Sequence, residues 1–216
     1  MSEKQRALKV LSLLEKRYPQ VHIALEFEDP LELMVATILS AQSTDAQINK
    51  ITPALFKKYP NVQAYAKAKQ SEFEKDIYSS GFYKNKAKNI IAAANTIVKD
   101  FNGEIPNTME DLVKIPGIGR KTANIILANA FGKVVGIAVD THVGRLSQRL
   151  GFSKNSDPNK IEQDLMILFP KGEWYKINYL LIDHGRAVCN AKRPRCPDCV
   201  VRALCPAGKK YPTVVP

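Results

Sequence analysis

LVKIPGIGRKTANIILANAFGKVVGIAVD, residues 112–140, is the stretch of this 216-residue chain that decides the fold. Its centre, Ile115-Pro116-Gly117-Ile118-Gly119, predicts a tight apolar turn between two helical segments. Pro116 blocks continuation of the first segment, and the two glycines permit positive φ and close backbone approach. Thr108 and Asp111 stand at capping-box spacing ahead of Leu112 and Ile115, with Asp in place of the usual Glu. After the turn, Ile125, Ile126, Ala128 and Asn129 follow a helical period.

Free N–H groups at Gly117, Gly119 and the first turn of the second helix, together with the helix dipole, favour an anion such as a backbone phosphate. Alone, such a turn is as readily a packed corner that binds nothing. Arg120 and Lys121 at the start of the second helix, and Asp140 after the next loop, add an amine and a carboxylate for the fold to bring together. That pairing points to chemistry.

Working outward, the composition is ordinary for a folded chain, 45% hydrophobic and 25% charged, and the length suffices for one large or two small domains. Lys and Arg number 32 against 21 Asp and Glu, a net charge of +11, with the positive residues spread along the chain. A polyanion partner is expected, nucleic acid before membrane. The N-terminal stretch MSEKQRALKVLSLLEKRYP has no signal-peptide core, and no apolar run is long enough to span a bilayer. A cytoplasmic, nucleoid-associated protein is expected, with its cysteines reduced or metal-bound.

Helical signals recur and no convincing period-two strand interrupts them, so the fold class read here is all-α. An amphipathic helix over 4–18 ends at Pro19. Asp29-Pro30-Leu31-Glu32 opens a very apolar helix through Leu39. Further helices are read over 44–58, with re-nucleation at Thr52-Pro53, and after a capping box at Ser71 and Glu74. Others cover 84–101, Asp140 to Leu150, Asp157-Pro158 to Phe169, and Trp174 to Val188.

All four cysteines, Cys189, Cys196, Cys199 and Cys205, lie in CNAKRPRCPDCVVRALC. Thiolates this close together wrap a soft metal centre. Zinc ribbons usually use two well-separated C-x2-C knuckles. Four unevenly spaced ligands in one loop favour a [4Fe–4S] cluster, with zinc as the alternative. Arg186, Lys192, Arg193, Arg195 and Arg202 are placed to screen the thiolates, and any surplus positive charge can face phosphates.

Taken together, IPGIGRKTAN, AVDTHVGRL, the cysteine loop, LSAQSTDAQIN (39–49) and GFYKNKAKNI (81–90) closely resemble the endonuclease III family of helix-hairpin-helix DNA glycosylases over nearly the whole chain. The resemblance implies two helical domains. One, 22–134, is a helical barrel carrying the hairpin; the other joins 1–21 to 135–216 and carries the iron–sulfur cluster. It also implies an active site in the cleft between them, with Lys121 on one wall and Asp140 on the other. The implied function is base excision repair: removal of oxidised or saturated pyrimidines from duplex DNA, and strand cleavage at the abasic site by β-elimination through a lysine Schiff base. A monomer is the default.

Excision at C1′ requires the nucleotide to be turned out of the stack. By the resemblance Gln42 fills the gap, and Phe82 stands where the family places an apolar wedge, usually Leu or Ile. Helix capping for Gln42 and core packing for Phe82 are the bland alternatives. Pro116, Gly117, Gly119, Arg120, Arg186, Lys192 and Arg193 are the remaining DNA-binding candidates. Only an amine gives an iminium at C1′, so Lys121 is the candidate nucleophile, favoured as a neutral amine by the positive end of its helix. Asp140 is assigned charge stabilisation and proton transfer.

The position of Lys121 resembles Ser in adenine glycosylases and Tyr in thymine-mismatch glycosylases, and Thr37 stands where the former carry a glutamate. The rivals are a mismatch-specific monofunctional glycosylase, a non-catalytic DNA clamp, and a redox switch sensed by the cluster. A clamp has no use for a paired amine and carboxylate.

Overall fold

The computed structural model describes residues 1–209, and these are helical, with no strand among them. They fall into two compact units, Ile23–Lys133 and Met1–His22 with Val134 onward.

The first unit contains α2 (Pro30–Leu39), α3 (Asp45–Lys58), α4 (Val62–Ala66), α5 (Gln70–Asp76), α6 (Tyr83–Asp100), α7 (Met109–Leu112) and α8 (Arg120–Ala130). The second contains α1 (Glu3–Arg17), α9 (Thr141–Arg149), α10 (Pro158–Leu168) and α11 (Trp174–Ala187), followed by a loop of short 3-10 turns.

Asp29 caps α2 as its sequence predicts, accepting from Glu32 N–H at 2.8 Å with Pro30 at the first helical position. Almost every side chain of α2 beyond the first turn is buried, from Leu33 through Leu39. It therefore packs on several sides, against α3, α6 and α8. The core around it includes Met34, Leu39, Ile48, Phe73, Ile90, Ile97, Leu112, Ile126 and Leu127.

Three local readings need correction. Pro53 does not re-nucleate a helix. It lies inside one continuous α3, because Ile48, Thr52 and Leu55 are buried along its length and their burial outweighs one missing N–H bond. Ser71 and Glu74 do not form a capping box: α5 starts at Gln70 after Lys69, with no side-chain cap, and Gln70 Nε2 donates to Glu74 Oε1 at 2.8 Å. The segment before the hairpin, α7, is only one turn long, although Thr108 does cap it by accepting from Asp111 N–H.

In the second unit α9 packs on α10 and α11, and α1 packs on α10 and α11. The core there combines Leu11, Leu14, Val143, Leu146, Leu165, Ile177 and Leu181.

The hairpin turn owes its shape to one glycine. Gly117 has φ +80°, and a Cβ there would lie 3.0 Å from Cβ of Asn89 on α6. Gly119 has an ordinary extended φ of −92° and would meet nothing within 4 Å. Gly117→Ala should therefore destabilise the protein by about 2 kcal/mol, through left-handed strain and crowding. Gly119→Ala should cost roughly half that or less, as an exchange at a helix N-cap. Urea unfolding of the two variants against wild type measures the contrast.

Candidate active site and cysteine centre

The side chains expected to touch DNA in the hairpin unit stand at helix ends. Lys121 is the second residue of α8 and is exposed. The N-cap of α8 is Gly119, which offers no side-chain acceptor, so this helix start is open to an external anion. Gly117, Gly119 and Arg120 are exposed and Pro116 is half-buried.

Gln42 follows α2 in a turn closed by Ser43 N–H donating to Ser40 O at 3.0 Å. It is exposed and left-handed, with φ +55°. The C-cap of α2 is Ser40 and the N-cap of α3 is Thr44, so Gln42 caps neither helix.

Phe82 is the N-cap of α6 and also left-handed, with φ +48° after Gly81 at +69°. Its side chain is 63% exposed, which removes the core-packing alternative. A non-glycine residue in this conformation carries strain of about 1–2 kcal/mol. The turn is braced from below by Lys86, a buried lysine whose Nζ donates to Ser80 O at 2.6 Å. Burial lowers the Lys86 pKa from its ordinary value.

In the other unit, Asp140 is the half-buried N-cap of α9 and accepts from Val143 N–H at 2.7 Å. His142 is packed rather than presented to solvent. Its Nδ1 lies 3.1 Å from Arg145 Nη2, and a Cβ on Gly185 would come within 2.8 Å of it. Burial lowers its pKa. Arg186, Lys192 and Arg193 are exposed.

The four cysteines converge on one cavity, lined also by Leu146, Leu150, Val188, Val201, His184, Arg149, Arg195 and Arg202. Among the described residues no three His, Cys, Asp or Glu side chains gather around a single-ion position. Burial pushes the Cys199 thiol up to about 11 and raises Cys196 and Cys205 as well, so an ionised set of sulfurs calls for strong cationic compensation.

The cations at the cavity differ in part from the expected ones. Arg195 and Arg202 line it; Arg186, Lys192 and Arg193 do not. Arg149, which the sequence reading missed, donates to Cys189 Sγ at 3.3 Å and to the carbonyls of Asn190 and Ala191 at 2.7 Å each. It stands on α9, 40 residues before Cys189, and no motif joins the two. His184, also missed, has Nε2 3.3 Å from Cys199 Sγ.

Residues 35–171 match the model of the HhH-GPD superfamily base excision DNA repair proteins. The chain is 51% identical to endonuclease III of Synechocystis sp., over 96% of this chain and 95% of that protein. It is 44% identical to endonuclease III of Bacillus subtilis, over 89% and 88%. Its backbone superposes on a trapped covalent intermediate of an endonuclease III with DNA at a TM-score of 0.92, with 43% identity, covering 97% of this chain and 99% of that one. Among the described residues no helix is long and apolar enough to cross a membrane.

Removing Arg149 leaves the Asn190 and Ala191 carbonyls without that donor, and the loop behind them has little core of its own. Arg149→Ala should cost about 2–4 kcal/mol locally and open the 189–205 loop to trypsin, which peptide mapping under native conditions will show against an intact remainder.

Proposed function

The chain belongs to the endonuclease III family of HhH-GPD base excision DNA repair proteins, and on that premise we propose that Lys121 is the amine with which it attacks damaged nucleotides. The enzyme is a DNA glycosylase with AP lyase activity, and its partner is duplex DNA. The observation that carries the assignment is the placement of Lys121: an exposed amine in the first turn of the hairpin helix, beside backbone donors suited to hold a phosphate. A relative trapped in a covalent intermediate with DNA fits nucleophilic catalysis by an amine.

In this reading Gln42 and Phe82 occupy the space left when an oxidised or saturated pyrimidine turns out of the duplex. Both are exposed and held in left-handed turns, so they are presented before DNA arrives. The Lys121 nitrogen bonds to C1′ as the bond from C1′ to the base breaks, and the base departs with a proton. The C1′–O4′ bond then breaks as a proton passes from that nitrogen to O4′, which opens the sugar ring and leaves the iminium at C1′. Removal of a proton from C2′ then expels the 3′ phosphate. Asp140 stabilises positive charge developing on the sugar and carries protons. Arg186, Lys192 and Arg193 supply phosphate contacts.

The four cysteines line one cavity, and four unevenly spaced thiolates in one short loop fit a [4Fe–4S] cluster better than a zinc knuckle. Cys189, Cys196, Cys199 and Cys205 would hold the cluster, which when bound supplies four metal–thiolate bonds that cross-link the loop. The loop then offers Lys192 and Arg193 to DNA on a fixed backbone.

Incubation with duplex DNA carrying one thymine glycol, followed by borohydride, should give a covalent adduct with wild type and none with Lys121→Gln. Asp140→Asn retains a good helix cap, so it should fold normally while strand cleavage falls by about 10²-fold or more. Nicking by Lys121→Gln at the normal rate would sink the nucleophile assignment. Base release without adduct in wild type would mean a monofunctional glycosylase.

A further inference from the structure

The second unit buries a polar chain that excision does not use. Tyr18, the C-cap of α1, places its hydroxyl 3.0 Å from His184 Nδ1, and His184 Nε2 lies 3.3 Å from Cys199 Sγ. The histidine is only 2% exposed. The two rings meet edge to face at 5.9 Å between centroids, so the imidazole is held from both ends.

We propose that His184 is a positioning residue for the iron–sulfur cluster, its Nε2–H donating to Cys199 Sγ while the Tyr18 hydroxyl fixes the tautomer by donating to Nδ1. The inference rests on the cluster reading given above. A metal-bound cysteine sulfur offers only lone pairs, so the proton between it and Nε2 belongs to the nitrogen. A neutral imidazole then has a lone pair at Nδ1, which leaves Tyr18 as the donor. The direction of every bond in the chain follows.

The other sulfurs give the comparison. Cys189 receives a bond from Arg149, and Cys205 receives one from Gly208 N–H, each at 3.3 Å. Among the described residues no group donates to Cys196. Cys205 also receives a bond from Ala207 N–H, and Cys199 one from Val201 N–H; these backbone donors resist substitution, and Arg149 cannot be removed without also freeing two loop carbonyls. His184 is a side chain with one task at the cavity, and Tyr18 tunes it from outside the cysteine loop. A hydrogen bond to a ligand sulfur draws negative charge from it and stabilises the more electron-rich cluster, which raises the reduction potential. Donation by Tyr18 to Nδ1 makes Nε2–H the stronger donor.

The test uses the intact, cluster-loaded protein. His184→Phe and Tyr18→Phe are prepared with wild type, iron and sulfide are counted, and the midpoint potential of the cluster is measured at an electrode. Both variants should shift to more negative potential, His184→Phe by more. Fully loaded variants with the wild-type potential would overturn the proposal, even if their melting temperatures fell, because a merely structural role moves stability and not potential. If His184→Phe does not load, Tyr18→Phe decides by the same criterion. Wild type without iron and sulfide would overturn the cluster reading itself and this inference with it.

Discussion

The close approach of the hairpin backbone to α6 is the constraint on which the placement of α8 depends. Gly117 sits with φ +80° against the Cβ of Asn89, and no larger residue fits without moving one of the two. Because the turn is fixed there, Ile115 and Ile118 are buried on either side of it and α8 starts at Arg120. The start of α8 is therefore set by backbone sterics, and the amine of Lys121 inherits that placement. The core beneath, Leu112, Ala123, Ile126 and Leu127, holds the hairpin on the rest of its unit.

The cysteine loop is built on another principle. It has few buried apolar side chains, chiefly Val188, Val201 and Cys205. Its backbone is instead held by long cationic side chains reaching from the helices. Arg145 donates to Cys189 O, Arg149 to Asn190 O and Ala191 O, and Arg6 to Leu204 O. The same guanidinium groups bring positive charge toward sulfurs that must ionise to hold metal. A loop with so little hydrophobic support gains its order from these bonds, and the proposed cluster would add to it.

The structure also separates the residues proposed for excision from the ones that support them. Lys121, Gln42 and Phe82 are exposed, and the last two carry positive φ. Their neighbours Lys86 and Ser80 are buried and hydrogen-bonded. Strain is kept at the points that must project, and the surrounding packing maintains it. Asp140 combines a structural bond to Val143 N–H with its proposed chemical role, as a carboxylate at a helix N-terminus is able to do.

Much of this was legible in the sequence, because it depends on local chemistry. Pro116 and Gly117 announce the turn, Asp29, Thr108, Asp140 and Asp157 announce helix starts by capping, and the four cysteines stand close along the chain and line one cavity. The sequence alone therefore determined the all-helical class and the hairpin, and it supplied the candidate ligands and the candidate nucleophile. Only tertiary structure decided that α3 runs through Pro53, that Phe82 projects instead of packing, and that Arg149 and His184 serve the cysteines from distant helices. Those outcomes depend on which surfaces meet, and burial or a hydrogen bond between residues far apart leaves no periodic trace in the chain.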